Sequence, residues 1–170
     1  MTPADKPGLT HVDSRGDARM VNVAAKDTTA RRAVARSRVE AHPDTIALLA
    51  AGGGPKGDVF AVARIAGILA AKKTSDLIPL CHGLSLDHVD IHFDVKPDHI
   101  EIIASCVVQG RTGVEMEAMM AASIAGLTIY DMGKAVDRLM RVGPVELVSK
   151  EGGKSGAWHR DGDEGATGPR

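Results

Sequence analysis

Residues 86–95, LDHVDIHFDV, alternate in polarity one by one. Val89, Ile91, Phe93 and Val95 point to one side of an extended chain, and His88, Asp90, His92 and Asp94 point to the other. Strict period-two alternation suits a strand with one face buried and does not match the 3.6-residue period of a helix. The Lys-Pro-Asp sequence at 96–98 is a turn, and residues 100–108, IEIIASCVV, form a second β-rich run. A hairpin therefore sits at the centre of the fold, and the flanking segments must cover its apolar side.

Those flanks divide into strands and helices. Residues 30–39, ARRAVARSRV, alternate small or apolar side chains with arginines, which predicts a strand with one basic face. Residues 43–51 predict a short helix with Pro43 in its first turn, ended by the glycines at 52–54. Residues 58–73 predict a longer helix, opened by Asp58 and closed by lysines in its last turn. A helical pattern rich in Ala, Met and Glu runs over 113–140; Gly143-Pro144 breaks it, and 145–148, VELV, predict a last short strand. Helices and strands mixed around a hairpin give an α+β class, an antiparallel sheet with helices packed on one face. The polar, Gly- and Pro-rich ends read as disordered tails over 1–10 and 157–170, leaving one domain over 11–156.

Composition narrows the function. The chain is 44% hydrophobic but only 2% aromatic, so the core is built from Ala, Val, Ile, Leu and Met. Small side chains bury little area each, at roughly 25 cal/mol per Å² of apolar surface, and oligomerisation is an expected source of further stability. Lys and Arg number 21 against 22 Asp and Glu, which excludes a nucleic-acid binder driven by overall positive charge. The aromatic shortage argues against a base-stacking platform. No run of ~18 apolar residues is present to span a membrane, and no charged-then-apolar signal opens the chain. Two cysteines, Cys81 and Cys106, are too few for a disulfide scaffold and read as reduced thiols of a cytoplasmic protein.

Several stretches carry candidate chemistry. GGGPKGD at 52–58 has phosphate-loop glycines, but Asp58 and Val59 stand where Lys and Ser or Thr must follow. The later GKS fails too, with Val148 in place of the first glycine. Lys56, in flexible backbone just before a helix, is either an anion ligand or a solvated turn residue. Cys81 and His82 centre an apolar loop, LIPLCHGL, in which the histidine is a functional group or a satisfied core residue. The His88, Asp90, His92 stripe has metal-ligand geometry, yet a charged stripe opposite an apolar one ordinarily faces solvent or a partner, and no metal is assigned. Asp131 and Lys134 share a helix face at i,i+3 spacing amid Leu127, Ile129, Met132 and Ala135. They are either a surface ion pair or, in a low-dielectric setting, an acid–base pair with shifted pKa values. Lys150 and Lys154 flank glycines in KEGGKSG, a mobile anion clamp or the start of the tail.

Five blocks in order, LTHVDSRGDARMVNVAAKDTTARRA, KGDVFAVARIAGILAAKKTSDLIPLCH, RTGVEMEAM, AGLTIYDMGKA and GGKSG, closely resemble the cyclic pyranopterin monophosphate synthase family of molybdenum cofactor biosynthesis. The resemblance covers about residues 9–156. It implies a ferredoxin-like fold and a homohexamer, a trimer of dimers with active sites at the dimer interface. It also implies a cytoplasmic lyase, without metal or organic cofactor, that acts on a small nucleotide-derived substrate, with no nucleic-acid or membrane partner. That substrate is 3′,8-cyclo-7,8-dihydroguanosine 5′-triphosphate, which is rebuilt into the pyranopterin with release of pyrophosphate. By the same resemblance Asp131 is the catalytic acid/base, with Lys134, Lys56 and His82 beside it. Leu80, Cys81, His82, Glu115, Met116 and Glu117 bind substrate, and Arg31, Lys150 and Lys154 hold the triphosphate. The chain departs from the family pattern at Gly83, where Pro is usual, and Gly133, where Cys is usual. The expectation is a looser His82 loop and a softer helix between Asp131 and Lys134. The alternative is a non-catalytic module that binds a nucleotide or pterin; the Asp131–Lys134 pair separates the two, since phosphate binding alone has no use for a carboxylate beside its cations.

Overall fold

A computed structural model describes residues 15–54, 56–154 and 156–160. The elements in chain order are β1 (Thr29–Glu40), α1 (Pro43–Ala50), α2 (Val59–Lys72), α3 (Thr74–Leu77), β2 (His88–Val95) and β3 (His99–Gly110). They continue with α4 (Glu115–Gly133), β4 (Arg141–Val142), β5 (Glu146–Glu151) and β6 (Trp158–His159). The strands form one antiparallel sheet of order β2-β3-β1-β5-β6, with β4 paired to the end of β1. This is the expected α+β, ferredoxin-like arrangement.

The hairpin β2–β3 has the expected phase. Ile91 lies opposite Ala104, which lies opposite Ala35, so the apolar side of the hairpin continues across β1 through Ala33, Ala35, Ser37 and Val39. These residues, with Ile100, Ile102 and Cys106, are buried beneath the helices. Arg36 and Arg38 of β1 take the other side, Arg36 pairing with Glu146 at 2.9 Å and Arg38 with Glu101 at 3.8 Å, whereas Arg31 shares the phase of Ala33.

Two helices cover the apolar side in antiparallel fashion. Asp58 caps α2 by accepting from the Phe60 and Ala61 amides, each at 3.0 Å. Alanines make close packing possible: Ala118, Ala121, Ala122 and Ala125 of α4 and Ala63 of α2 are fully buried. At Gly67 even a methyl group is too much, since a Cβ there would run into Ile91 and meet the Ala121 carbonyl at 2.8 Å. Gly126 likewise lets β4 approach, a Cβ there meeting Val142 at 2.8 Å.

Three expectations need correction. The helix predicted to run to 140 ends at Gly133, well before Gly143-Pro144. Asp137 stops it: its carboxylate accepts from the His42 amide at 3.0 Å and the Leu139 amide at 2.9 Å, competing with the helical ladder while Met140 turns back into the core. Gly133 does not loosen the span between Asp131 and Lys134; it is the buried last residue of α4 and leaves room for the tip of Met140, which a Cβ would meet at 2.8 Å. The segment read as a C-terminal tail begins with a strand, because Trp158 pairs with Lys150 and His159 with Ser149. The other tail positions, 1–10 and 161–170, lie outside the described residues. Among the described residues, no helix is long and apolar enough to cross a membrane.

Candidate active site

The residues singled out from the sequence fall into two clusters at opposite ends of α4. At its N-terminal end a cavity of about 350 Å³ is lined by Arg31, Leu80, Cys81, His82, Glu115, Met116, Glu117 and Lys150. They arrive from β1, the loop after α3, the start of α4 and β5. Arg31 comes from β1, with its Nε donating to the Gly110 carbonyl at 2.9 Å. Lys150 comes from β5 and pairs with Glu115 at 3.1 Å. The His82 loop follows α3, and Gly83 in it meets little, since a Cβ there would find only Ser75 Oγ at 3.6 Å. Lys154 lines an adjoining open pocket that shares Lys26 and Arg31 with the cavity. Glycines are required to carry the chain over that boundary: Gly152 and Gly153 have φ of +92° and +72°, and a Cβ on Gly153 would run into the Arg31 guanidinium.

The protonation states in this cavity follow from burial. Glu117 is 4% exposed, and burial raises its carboxyl pKa, with the charge of Glu115 acting in the same direction against a backbone hydrogen bond. Burial also raises the Cys81 thiol, and drives Cys106, inside the sheet, up to about 12, the charge of Glu117 adding to both. Neither thiol is a nucleophile at neutral pH in this setting. His82 Nε2 lies 2.9 Å from the Val21 carbonyl, so that nitrogen donates, and the residue lines the cavity.

The second cluster joins the start of α2 to the end of α4. Lys56 Nζ reaches Asp131 Oδ2 at 2.7 Å, and Lys134 Nζ reaches Oδ1 at 2.7 Å, so each carboxylate oxygen carries one ammonium. Hydrogen bonds from Lys134 and Lys56, then their charges, draw the Asp131 pKa down to about 2, and Asp131 in turn raises that of Lys134. The apolar neighbours expected to bury this pair do not do so: the side chains of Asp131 and Lys134 are 55% and 51% exposed. Leu127, one of those neighbours, itself faces out at 52%. Sixteen residues of helix separate Glu115 from Asp131, about 24 Å at 1.5 Å per residue.

Comparison with known proteins bears on which chemistry this arrangement serves. Residues 20–153 match the MoaC family model, a span that contains both clusters. The chain belongs to the MoaC family. Relatives named cyclic pyranopterin monophosphate synthase align over nearly their whole length. One from Pelotomaculum thermopropionicum is 55% identical over 162 residues, covering 94% of this chain and 95% of the relative. Another from Roseiflexus sp. strain RS-1 is 57% identical, covering 90% and 98%, and one from Rhodospirillum rubrum is 54% identical, covering 92% and 95%.

For this MoaC-family chain the structure adds cavity residues that the sequence reading passed over. Val21, Val23 and Lys26 come from the segment before β1, and Arg32 and Arg111 add two guanidinium groups. All lie inside the quoted blocks, ARMVNVAAKDTTARRA and RTGVEMEAM, so position was available and only their convergence was not. Among the described residues, no group of three or more His, Cys, Asp and Glu side chains is placed to hold a metal ion.

Proposed function

We propose that this chain is a cyclic pyranopterin monophosphate synthase, a lyase that converts 3′,8-cyclo-7,8-dihydroguanosine 5′-triphosphate to cyclic pyranopterin monophosphate and pyrophosphate in molybdenum cofactor biosynthesis. The observation that carries the reading is the cavity at the start of α4, where Lys26, Arg31, Arg32, Arg111 and Lys150 surround one opening in a protein of nearly zero net charge. A triphosphate of about four negative charges needs such clustering, and charge-assisted hydrogen bonds from Arg and Lys are the strong ones. Lys154, in the adjoining pocket, extends the same cationic track.

The roles follow from the surroundings. Arg31, Lys150 and Lys154 hold the phosphates and neutralise the charge that builds on departing pyrophosphate as the cyclic phosphate closes. Leu80, Cys81, Glu115 and Met116 position the purine-derived rings. Ring opening and rebuilding need repeated proton transfers; Glu117, whose carboxyl pKa burial raises, and His82, with Nε2 anchored on Val21, line the cavity where such transfers occur. Asp131 is ionised while both lysines grip it. When Lys56 and Lys134 turn to substrate, its carboxylate loses those donors, its pKa rises, and it becomes a competent acid/base.

One chain cannot bring all of these groups to one substrate, because the length of α4 lies between the clusters. The site is therefore shared between two copies at a dimer interface, and three such dimers form a homohexamer that works in the cytoplasm without nucleic-acid or membrane partners. The test supplies purified chain with the cyclised triphosphate and follows pyrophosphate and pterin fluorescence together. Both products appear in equal amounts; binding with neither product overturns the reading in favour of a binding module. Asp131→Asn is expected to keep substrate binding within about threefold and to lose activity by about 10²-fold or more, the usual range for a general acid/base.

A further inference from the structure

One row of side chains crosses the sheet on the side that α4 covers: Val89, Cys106, Ala33, Lys150 and Trp158 are successive cross-strand partners. Directly opposed residues of antiparallel strands project to the same face, with Cβ atoms about 4.5–5.5 Å apart. Cys106 and Ala33 are buried beneath the helices, and Lys150 lines the cavity and reaches Glu115 at 3.1 Å. Trp158, last in the row and on the edge strand β6, is 42% exposed. It is the only tryptophan of the chain.

We propose that Trp158 is a positioning residue for the phosphate grip: its indole covers the stem of Lys150 and closes the β5–β6 hairpin whose loop carries Lys154, so that both ammonium groups stay aimed at the triphosphate. That hairpin is fastened unevenly. At its outer end the Arg160 amide donates to the Val148 carbonyl and Arg160 Nε to the Leu147 carbonyl, each at 2.9 Å, and the guanidinium pairs with Glu146 at 3.5 Å. At its cavity end, among the described residues, the Lys150–Trp158 pair is the last ladder contact before the chain turns through Gly152, Gly153 and Gly156, all at positive φ. Gly152 lies against the Ala30 carbonyl and Gly153 against the Arg31 guanidinium, and neither brings a side chain to hold the loop. Lys154 follows directly and lines the adjoining pocket with Arg31.

The physical need is plain from the lysine side chain. An ammonium on a four-carbon stem is strongly hydrated and mobile, and holding it in one geometry costs rotamer entropy. An aromatic ring against the methylenes restricts the stem and keeps water from one side of the charge, where attraction to phosphate is then stronger. The indole stands with the phosphate donors and not with Glu117 or His82, so it acts on binding and leaves the proton transfers alone. This inference rests on the reading of the cavity as a triphosphate site and adds the residue that keeps its lysines in place.

The test compares Trp158→Phe, which keeps an aromatic face, with Trp158→Ala, which removes it, in the full chain. Inorganic tripolyphosphate is titrated by calorimetry, and in the parent also by the emission of the single tryptophan. The parent is expected to show a saturable change in emission. Affinity is expected to fall about tenfold in Trp158→Ala and to stay within about twofold in Trp158→Phe. With the cyclised triphosphate, Trp158→Ala is expected to raise KM about tenfold and to keep kcat within about twofold. An emission that saturating tripolyphosphate leaves unchanged overturns the role, and this arm decides alone if Trp158→Ala does not fold. Unchanged affinity in Trp158→Ala, a Phe variant as weak as the Ala variant, or a loss of kcat at constant KM overturns it too. The two readings fail separately. Turnover with KM unmoved by Trp158→Ala sinks the role of Trp158 alone, whereas a parent without turnover sinks the synthase reading while a tenfold loss of tripolyphosphate affinity still upholds Trp158.

Discussion

Asp131 shows how little a residue's neighbours in sequence say about its charge. Its surroundings, AGLTIYDMGKA, suggest a buried pair, yet two ammonium groups in solvent, one on each oxygen, hold the carboxyl at about 2. A depressed carboxyl contributes stability above its unfolded value and loses it as pH falls through its folded value. The triad therefore stays intact from pH 8 down through 5 and opens only toward pH 2. In a carbon-detected titration of the free chain, Lys134→Gln is expected to move the Asp131 midpoint up, toward the ordinary carboxylate range; an unmoved midpoint would assign the depression to something other than the lysines. Glu117 behaves in the opposite sense. Its raised folded value means that the folded chain holds a proton that the unfolded chain releases, so its contribution falls as pH rises above the ordinary glutamate range. Thermal melts at pH 5 and pH 8 are expected to show Glu117→Gln gaining stability relative to the parent at the higher pH, and parallel curves would count against a buried, protonated Glu117.

At the scale of elements, α2 and α4 are legible from composition, but their closeness is decided by single glycines. Adding a methyl at Gly67 gains about 1 kcal/mol of helix propensity, but the Ala121 carbonyl at 2.8 Å is backbone and cannot swing away. Overpacking of this kind costs about 1–3 kcal/mol and wins, so Gly67→Ala is expected to lower the denaturation midpoint. At Gly133 the obstacle is the Cε of Met140, the end of a flexible side chain, so Gly133→Ala or Gly133→Cys is expected to stay within about 0.5 kcal/mol of the parent. Urea titrations of the three variants check the contrast. The reversal of that expectation for Gly133, from a loosened helix to a space for Met140, depends on where α4 ends. Periodicity could not place that end, because Asp137 takes its amides from His42 and Leu139, one of them distant in the chain.

For the whole molecule, the aromatic-poor core and the exposed apolar side chains point the same way. Alanines supply much of the packed layer between helices and sheet, and each buries little surface. Val62, Ile65 and Leu69 of α2 and Leu127 of α4 remain on the outside of the helical layer. Light scattering is expected to give about six times the 17.8 kDa chain mass, and dilution should dissociate and unfold the protein together. A folded monomer at low micromolar concentration would refute this.

The amino-acid sequence by itself determined the central hairpin and its faces. Alternation is a local property, and Val89, Ile91 and Phe93 can share a side in only one phase of a strand. It also determined the family, through blocks long enough to be specific. Tertiary structure decided which of these meet. Lys56 and Asp131 lie 75 residues apart and touch. Glu115 and Asp131 of one chain lie on one helix, too far apart for both to touch one small substrate. The reason is physical: helical rise turns a short sequence separation into a long distance, while antiparallel packing of α2 on α4 turns a long separation into a contact.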